Sequence, residues 1–501
     1  MRSNKKINVL YISAESRPFI TVGGLGEVAY ALVHALDMLP KEKTKGFELD
    51  VRLALPFHAA IDRENYKIFP CAKFFVPHKN SAIKAEAYEV HVDGIPVYLI
   101  HGSPIPQESG PIYAPDAALD GPKYAFFSIA ALGLVRSLNW QPDILHANDW
   151  HTAPAIYALS LRRDSDPFFS PVSSLLTVHN LPYLGAGAGN ALTEFSLPAA
   201  EESPLPFWAQ NLPLPLGLLT ADQIVAVSPG YAQEILTPEF GSGLDEFLKT
   251  RSSSITGIVN GIDLDYWNPE TDNQITYNFS TNNVEPREGN KTWLQKHFGL
   301  EVDPHIPLLA MISRLDNQKG VDLVMDALLH LSVQEWQMII LGTGQPELEN
   351  AAKRLEATLP TKVRAVIAFD KNLSRHIYGG ADALLIPSRY EPCGLVQMIA
   401  MRYGCVPIAR ATGGLKDTII DYDKSHKSTG FLFPNATSID LNKAIQHALT
   451  IYSNKNDWQA LQKRCMEQDF SWSHSAQKYF ELYVSLIEKR RKLLDINDQE
   501  D

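Results

Sequence analysis

Twice along its 501 residues the chain passes from a short apolar stretch, through a turn, into a segment of helical periodicity. That doubling restricts the fold more than any other feature. The first instance is Ile7-Asn8-Val9-Leu10-Tyr11-Ile12-Ser13, then the turn Gly23-Gly24-Leu25-Gly26, then a helical pattern over 28–36. The pattern restarts near residue 262: an apolar run at 308–312 leads to a helix from Val321, and 338–341 leads to Gly342-Thr343-Gly344. Strand, glycine loop and helix in that order open a doubly wound α/β domain. Further β-rich runs fall at 50–55, 144–146, 174–178 and 223–227, then at 363–369, 383–386 and 406–409, with helical stretches such as 124–138 between them. Strands interleaved with helices need crossover connections, and hence mostly parallel sheets. Residues 88–99, centred on Asp93-Gly94, read as a hairpin. The expected architecture is α/β, with two doubly wound Rossmann-like domains over 1–255 and 256–472 facing across a cleft. A terminal helix within 473–501 is expected to pack back on the first domain. Ligands of such sheets gather at the carboxyl ends of the strands, so function is sought in the loops that follow them.

Composition narrows the partners. A formal charge of -12 opposes a nucleic-acid backbone, though not a nucleotide, which needs only a few placed cations. Cys71, Cys393, Cys405 and Cys465 are too scattered for a disulfide framework or a zinc knuckle and point to a reducing cytoplasm. The basic start leads into a strand and then Glu15 and Arg17, unlike a signal peptide, and no apolar run of about 18 residues would cross a membrane. The expectation is a cytoplasmic protein without nucleic-acid or membrane partners, or a plastid stromal one had a transit peptide been removed.

Several loops carry chemistry. Arg314-Leu315-Asp316-Asn317-Gln318-Lys319-Gly320 brings two cations that can converge on the charge building on a departing diphosphate when no metal is present. Alone, such a pair reads as two solvated side chains; beside Ser388-Arg389-Tyr390-Glu391-Pro392-Cys393-Gly394-Leu395 it reads as a site. Pro392 at a first helical position would set the Glu391 carboxylate by free amides, with Gly394 and Leu395 in the same turn. There it can accept a sugar hydroxyl or offset charge at an anomeric carbon, or simply cap the helix. Cys393 reads as a small packing residue. Gly23 and Gly24, and Thr412-Gly413-Gly414 before another helix, let backbone amides approach a phosphate or sugar, or only make tight turns. His146-Ala147-Asn148-Asp149-Trp150-His151 ends a strand and offers an indole face suited to stacking on a sugar. No metal is expected there, because His146 lies in the strand itself and no third cluster matches. Thr177-Val178-His179-Asn180 also ends a strand; a neutral His179 can donate to a hydroxyl, or be a satisfied core histidine. Neither G-x-S-x-G nor G-x-x-x-x-G-K-[ST] occurs, which removes the usual hydrolase and kinase readings.

Ser13-Ala14-Glu15 with the 23–26 glycines, residues 146–151 and 177–180, Val259-Asn260-Gly261-Ile262-Asp263, 314–320, 387–395 and 411–418 together resemble bacterial glycogen synthases and plant starch synthases. The likeness spans nearly the whole chain. It implies the GT-B fold and retaining, metal-independent transfer of glucose, without a cofactor, from a nucleotide sugar, usually ADP-glucose, to the non-reducing end of an α-1,4-glucan. By this resemblance Arg314 and Lys319 hold the diphosphate, Glu391 faces the transferred glucose and His179 contacts its 6-hydroxyl. Gly23, Gly24, Cys393, Gly394, Leu395, Thr412, Gly413 and Gly414 follow the donor's phosphates and sugar, and Phe369 lies against the adenine. Glu15, Asp149, Trp150, Asn180 and Asn260 lie near the acceptor or the transferred glucose. Two departures stand out: Thr21 replaces the Lys usual before the glycines, and 185–219 is rich in Pro and Leu without the usual Lys-bearing pattern. They motivate two alternatives, a UDP-glucose or small-acceptor transferase and a glucan-binding paralogue of faded catalysis; the retained Arg314, Lys319 and Glu391 oppose the second.

Overall fold

Uninterrupted apolar strands need cover on both faces, and the chain supplies it by following most strands with a helix. The computed structural model describes residues 6–108, 110–331 and 335–500, the last four by backbone alone. It divides into two units. The first comprises the chain up to Val227, Ala232–Gly261 and the segment from Trp472 on; the second comprises Ser228–Tyr231 and Ile262–Ser471.

The first unit is built on β1 (Lys6–Ile12), β2 (Glu48–Pro56), β3 (Phe69–His78), β4 (Ser81–Val92), β5 (Ile95–His101), β6 (Ile144–Asn148), β7 (Ser173–Val178), β8 (Gln223–Ala226) and β9 (Ile255–Gly257). Their order is β3-β4-β5-β2-β1-β6-β7-β8-β9, parallel from β5 to β9 and antiparallel across β3, β4 and β5. Val9, Leu10, Leu53, Leu145, Leu175 and Ile224 are fully buried, which is why these strands read as plain apolar runs. The β4–β5 turn puts Asp93 and Gly94 at φ 49° and 84°, the mirror-image turn that Asp-Gly favours. Because β9 pairs with β8, this unit runs on past residue 255 to Gly261.

The helix Trp472–Glu500 also belongs here. Its Tyr483 hydroxyl lies 2.7 Å from Nδ1 of His146, Ser173 Oγ donates to the Leu486 carbonyl at 3.2 Å, and Arg490 Nε to that of Ser170 at 2.7 Å.

The second unit holds β10 (Leu308–Ile312), β11 (Gln337–Gly342), β12 (Val363–Ile367), β13 (Ala383–Ile386), β14 (Val406–Arg410) and β15 (Phe431–Phe433), all parallel, in the order β12-β11-β10-β13-β14-β15. Counted within the unit this is 3-2-1-4-5-6, whose order reverses beside the first strand. The parallel strands of the first unit reverse in the same way, between β1 and β6. A buried cluster stabilises the far end of the second sheet: Asp382 takes Lys291 Nζ and the Leu308 amide, each at 2.8 Å. No described helix is long and apolar enough to cross a membrane.

Candidate active site

In the second unit the loops after β10, β13 and β14 meet where the strand order reverses. Gly320 takes φ 69°, and a Cβ there would lie 2.4 Å from the Pro387 carbonyl oxygen, so only glycine lets the 314–320 loop lie so close to the end of β13. The loops are then tied by backbone: Arg389 N–H donates to the Gln318 carbonyl at 2.8 Å, and Gln318 Nε2 to that of Tyr390 at 3.3 Å. Arg389 also reaches Asp322 with two guanidinium nitrogens, at 2.9 and 2.6 Å. This holds Lys319 Nζ 2.6 Å from Glu391 Oε2, which also accepts from Ser388 Oγ at 2.8 Å. Among the described residues Oε1 of Glu391 takes no partner. Arg314 is exposed and among the described residues is held only by Gln318 Oε1 at 3.1 Å and Asp316 at 3.3 Å.

One expectation fails here. Pro392 does not begin a helix: Gly394 turns to φ 73° and the helix starts at Val396. Glu391 is therefore neither a helix cap nor a carboxylate at free helical amides; its place is set by Lys319 and Ser388. Cys393 is buried, and its carbonyl accepts Gln397 Nε2 at 2.9 Å. The helix Gly413–Thr418 presses on this loop so closely that a Cβ on Gly414 would lie 2.1 Å from the Cys393 carbonyl oxygen. Gly414 N–H donates to the Glu391 carbonyl at 3.0 Å, so that amide is spent inside the protein and does not face a phosphate. Thr412 precedes the helix and is buried, and Gly413 stands at φ 42°. Ser228 Oγ donates to the Pro392 carbonyl at 2.6 Å and Gly230 N–H to Asp417 at 2.6 Å, a contribution from the segment after β8 that the sequence did not announce. Phe369, beyond β12, is 78% exposed, with Lys371 Nζ 5.9 Å from its ring centroid.

The first unit gathers the loops after β1, β6 and β7. Glu15 is buried, and its Oε2 accepts the Val22 amide and, at 3.3 Å, that of Gly23. Burial pushes its carboxyl up, against those amides and the Tyr113 hydroxyl. A Cβ on Gly26 would approach this carboxylate to 3.0 Å. Glu15 thus shapes the glycine loop from within. A Cβ on Gly24 would have nothing within 4 Å, so the start of the helix Gly24–Asp37 is open to a ligand.

Asp149 opens the helix Asp149–Ser160 at φ 54°, a strained value for an aspartate. What that backbone gains is an aim: Oδ1 accepts His179 N–H at 2.7 Å and Asn180 N–H at 3.4 Å. Burial pushes its carboxyl up to about 7, while the same amides pull it down. Burial also takes the His179 and His151 imidazoles down to about 3. His179 Nε2 lies 2.9 Å from Asn148 Oδ1. The buried amide oxygens of Asn180 and Asn260 have no partner among the described residues, and buried acceptors left open call for a ligand or water. Trp150 corrects another expectation: it is 6% exposed, edge-on to Tyr124 at 5.2 Å and packed against Gly185, so its face is not open to a sugar. Asn148, Tyr113 and Ser388 also join these clusters, bonding to His179, Glu15 and Glu391 in turn; Asn148 and Ser388 lay inside noted segments, whereas nothing in the sequence marked Tyr113.

Residues 8–250 match the family described as starch synthase catalytic domain, and 295–464 that of glycosyl transferases group 1. The chain is 39% identical over 493 residues to a glycogen synthase of Clostridium perfringens, covering 97% of this chain and 100% of the relative. It is 38% identical over 495 residues to one of Thermotoga maritima, covering 96% and 99%. The catalytic domain of starch synthase IV from Arabidopsis thaliana, solved bound to ADP and acarbose, matches with a TM-score of 0.85 at 31% identity, over 96% of this chain and 100% of that one. A sucrose-phosphate synthase from Thermosynechococcus elongatus shares the fold, with a TM-score of 0.59 at 18% identity over 96% of this chain and 100% of that one.

Proposed function

The chain belongs to the glycogen synthase family of GT-B glycosyltransferases, and from that premise we propose that it moves glucose from ADP-glucose to the non-reducing end of an α-1,4-glucan, with retention at the anomeric carbon. The observation that carries this is the Lys319–Glu391 pair at 2.6 Å beside an exposed Arg314. An ammonium has three donors and Glu391 uses one, so Lys319 keeps capacity for a diphosphate, joined by the Arg314 fork. As the bond from the anomeric carbon to the diphosphate breaks, these cations take up the charge on the leaving oxygen. The acceptor hydroxyl oxygen bonds to the same carbon, and its proton passes to the departing phosphate. Glu391 Oε1 receives a hydroxyl of the transferred glucose, and Phe369 offers its exposed ring to the adenine. His179, whose backbone amide is held by Asp149 and whose ring meets Asn148, contacts the 6-hydroxyl, while Asn180 and Asn260 supply acceptors to the sugars. With Thr21 in place of a lysine, Arg314 and Lys319 carry the diphosphate charge. No cofactor enters the scheme, and the bacterial relatives support a cytoplasmic setting.

The test is a donor panel with glycogen as primer, following nucleoside diphosphate and polymer together. ADP-glucose is expected to give both in step and UDP-glucose far less. Nucleotide release without polymer growth, or equal use of UDP-glucose, overturns the acceptor or the donor assignment respectively.

A further inference from the structure

Whether His179 offers a sugar hydroxyl a proton or a lone pair depends on which ring nitrogen carries hydrogen, and the surroundings of Asn148 decide that. Asn148 ends β6 and is fully buried. Its Nδ2 stands 3.0 Å from the Ile12 carbonyl oxygen, a group that can only accept. The amide nitrogen must lie on that side, which turns Oδ1 toward Tyr11 Oη at 3.0 Å and His179 Nε2 at 2.9 Å. An amide oxygen also only accepts, so Nε2 must donate. Burial keeps the ring neutral, with its pKa down at about 3, and leaves it a single proton. The neighbouring His146 and His151 imidazoles are driven the same way, so neither brings a cation to the ring. Among the described residues nothing in the chain bonds to Nδ1 of His179.

We infer that Asn148 is a positioning and specificity residue: it locks His179 in the Nε2–H form, so that Nδ1 can only accept and the site demands a hydroxyl hydrogen from the sugar. This reverses the expectation that His179 donates. It rests on the proposed contact between His179 and the 6-hydroxyl, and it extends that contact into a rule about substrates. A sugar with hydrogen or fluorine at that carbon supplies no proton to Nδ1, and a uronic acid's carboxylate would set oxygen lone pairs against the nitrogen lone pair.

The experiment compares ADP-glucose with its 6-deoxy and 6-deoxy-6-fluoro analogues on glycogen. Fluorine can accept weakly but cannot donate, so it separates the two polarities. Both analogues are expected to lose about 10- to 100-fold in kcat/KM, and by similar factors, because an open buried acceptor loses its partner. A fluoro donor used nearly as well as glucose, or no penalty on either analogue, overturns the inference. In Asn148→Leu the preference for glucose over the 6-deoxy donor is expected to shrink to within about threefold, since the tautomer is no longer held; an unchanged preference in a folded variant also overturns it. Nitrogen-15 NMR of histidine-labelled protein, with the His179 signal identified by its loss in His179→Gln, gives a readout independent of catalysis. It should show Nε2 protonated and Nδ1 bare, and the opposite pattern overturns the inference. Failure of every nucleotide sugar to support transfer would instead sink the proposed function, while the NMR would still decide the tautomer.

Discussion

In the second unit Arg314 has its side chain 58% exposed and Lys319 faces Glu391 at 2.6 Å across the loops after β10 and β13. In the first unit burial pushes Asp149 up to about 7 and takes His179 and His151 down to about 3. The two sheets reverse strand order in the same way and present equivalent loops, yet one set pairs cations with a carboxylate and the other buries its titratable groups among neutral partners. The shared fold thus sets where a site lies, and the side chains on its loops set the chemistry. A leaving diphosphate needs cations; a neutral sugar needs donors and acceptors that do not change state as it binds.

Substitutions at the second unit's paired charges are expected to have the greatest effect. Glu391→Gln and Lys319→Gln are each expected to lower kcat by on the order of 10²- to 10³-fold while circular dichroism stays unchanged. Asp149→Asn, which removes a charge from the first unit, should cost far less in the same assay of nucleotide release. Were the ranking reversed, the suppressed charge of the first unit would be the one at work.

Next in size comes the scaffold under that charge. Gly414→Ala must move the Cys393 carbonyl, because the new Cβ would lie 2.1 Å from its oxygen. Displacing the Glu391 loop by even an ångström is expected to cost about 10²-fold in kcat/KM, with about 1–3 kcal/mol of stability lost to overpacking. Full activity in that variant would mean the two loops move independently.

Both sites were legible in part. The buried parallel strands could be read because their apolar runs are continuous, whereas β3 escaped notice: it is an edge strand whose side chains are mostly exposed or half-exposed. The loops stood out by their glycines and charges. What they do with those groups depends on partners distant in sequence, and there local reasoning fails. Pro392 suggested a helix start until Gly394 took a left-handed turn. Trp150 suggested a sugar platform, but Tyr124 and Gly185 bury it. Asn148 gave no sign of its role, because Tyr11 and His179 come from two other strands and their loops.

The buried groups of the first unit also tie stability to pH. Asp149 rises from 3.8 to about 7 on folding, so the stability tied to its neutral form is full below about 3.8 and is lost as pH rises through 7. His179 and His151 fall from 6.5 to about 3, so their contribution is full above 6.5 and is lost as pH falls through 3. From about pH 4 to 6.5 the two trends oppose each other. Asp149→Asn deletes the first, and stability should then rise with pH more steeply than in the parent protein, by about 3 kcal/mol across that window. Calorimetry at pH 4.5 and 6.5 checks it, and parallel curves for the two proteins would remove the buried carboxyl from the account.

Phe369 acts, if at all, through its ring and not through charge. Phe369 is 78% exposed and lies beyond the end of β12, so its loss should leave stability unchanged. If its ring meets the adenine, Phe369→Ala withdraws a contact made equally in the ground state and the transition state. KM for the donor should then rise about 5-fold, equivalent to about 1 kcal/mol of stacking, with kcat held. The same variant should weaken UDP-glucose less, because a uracil ring offers less surface to stack. A fall in kcat without a change in KM would place Phe369 with the charged residues of its unit, as a group acting on the reaction and not on the base.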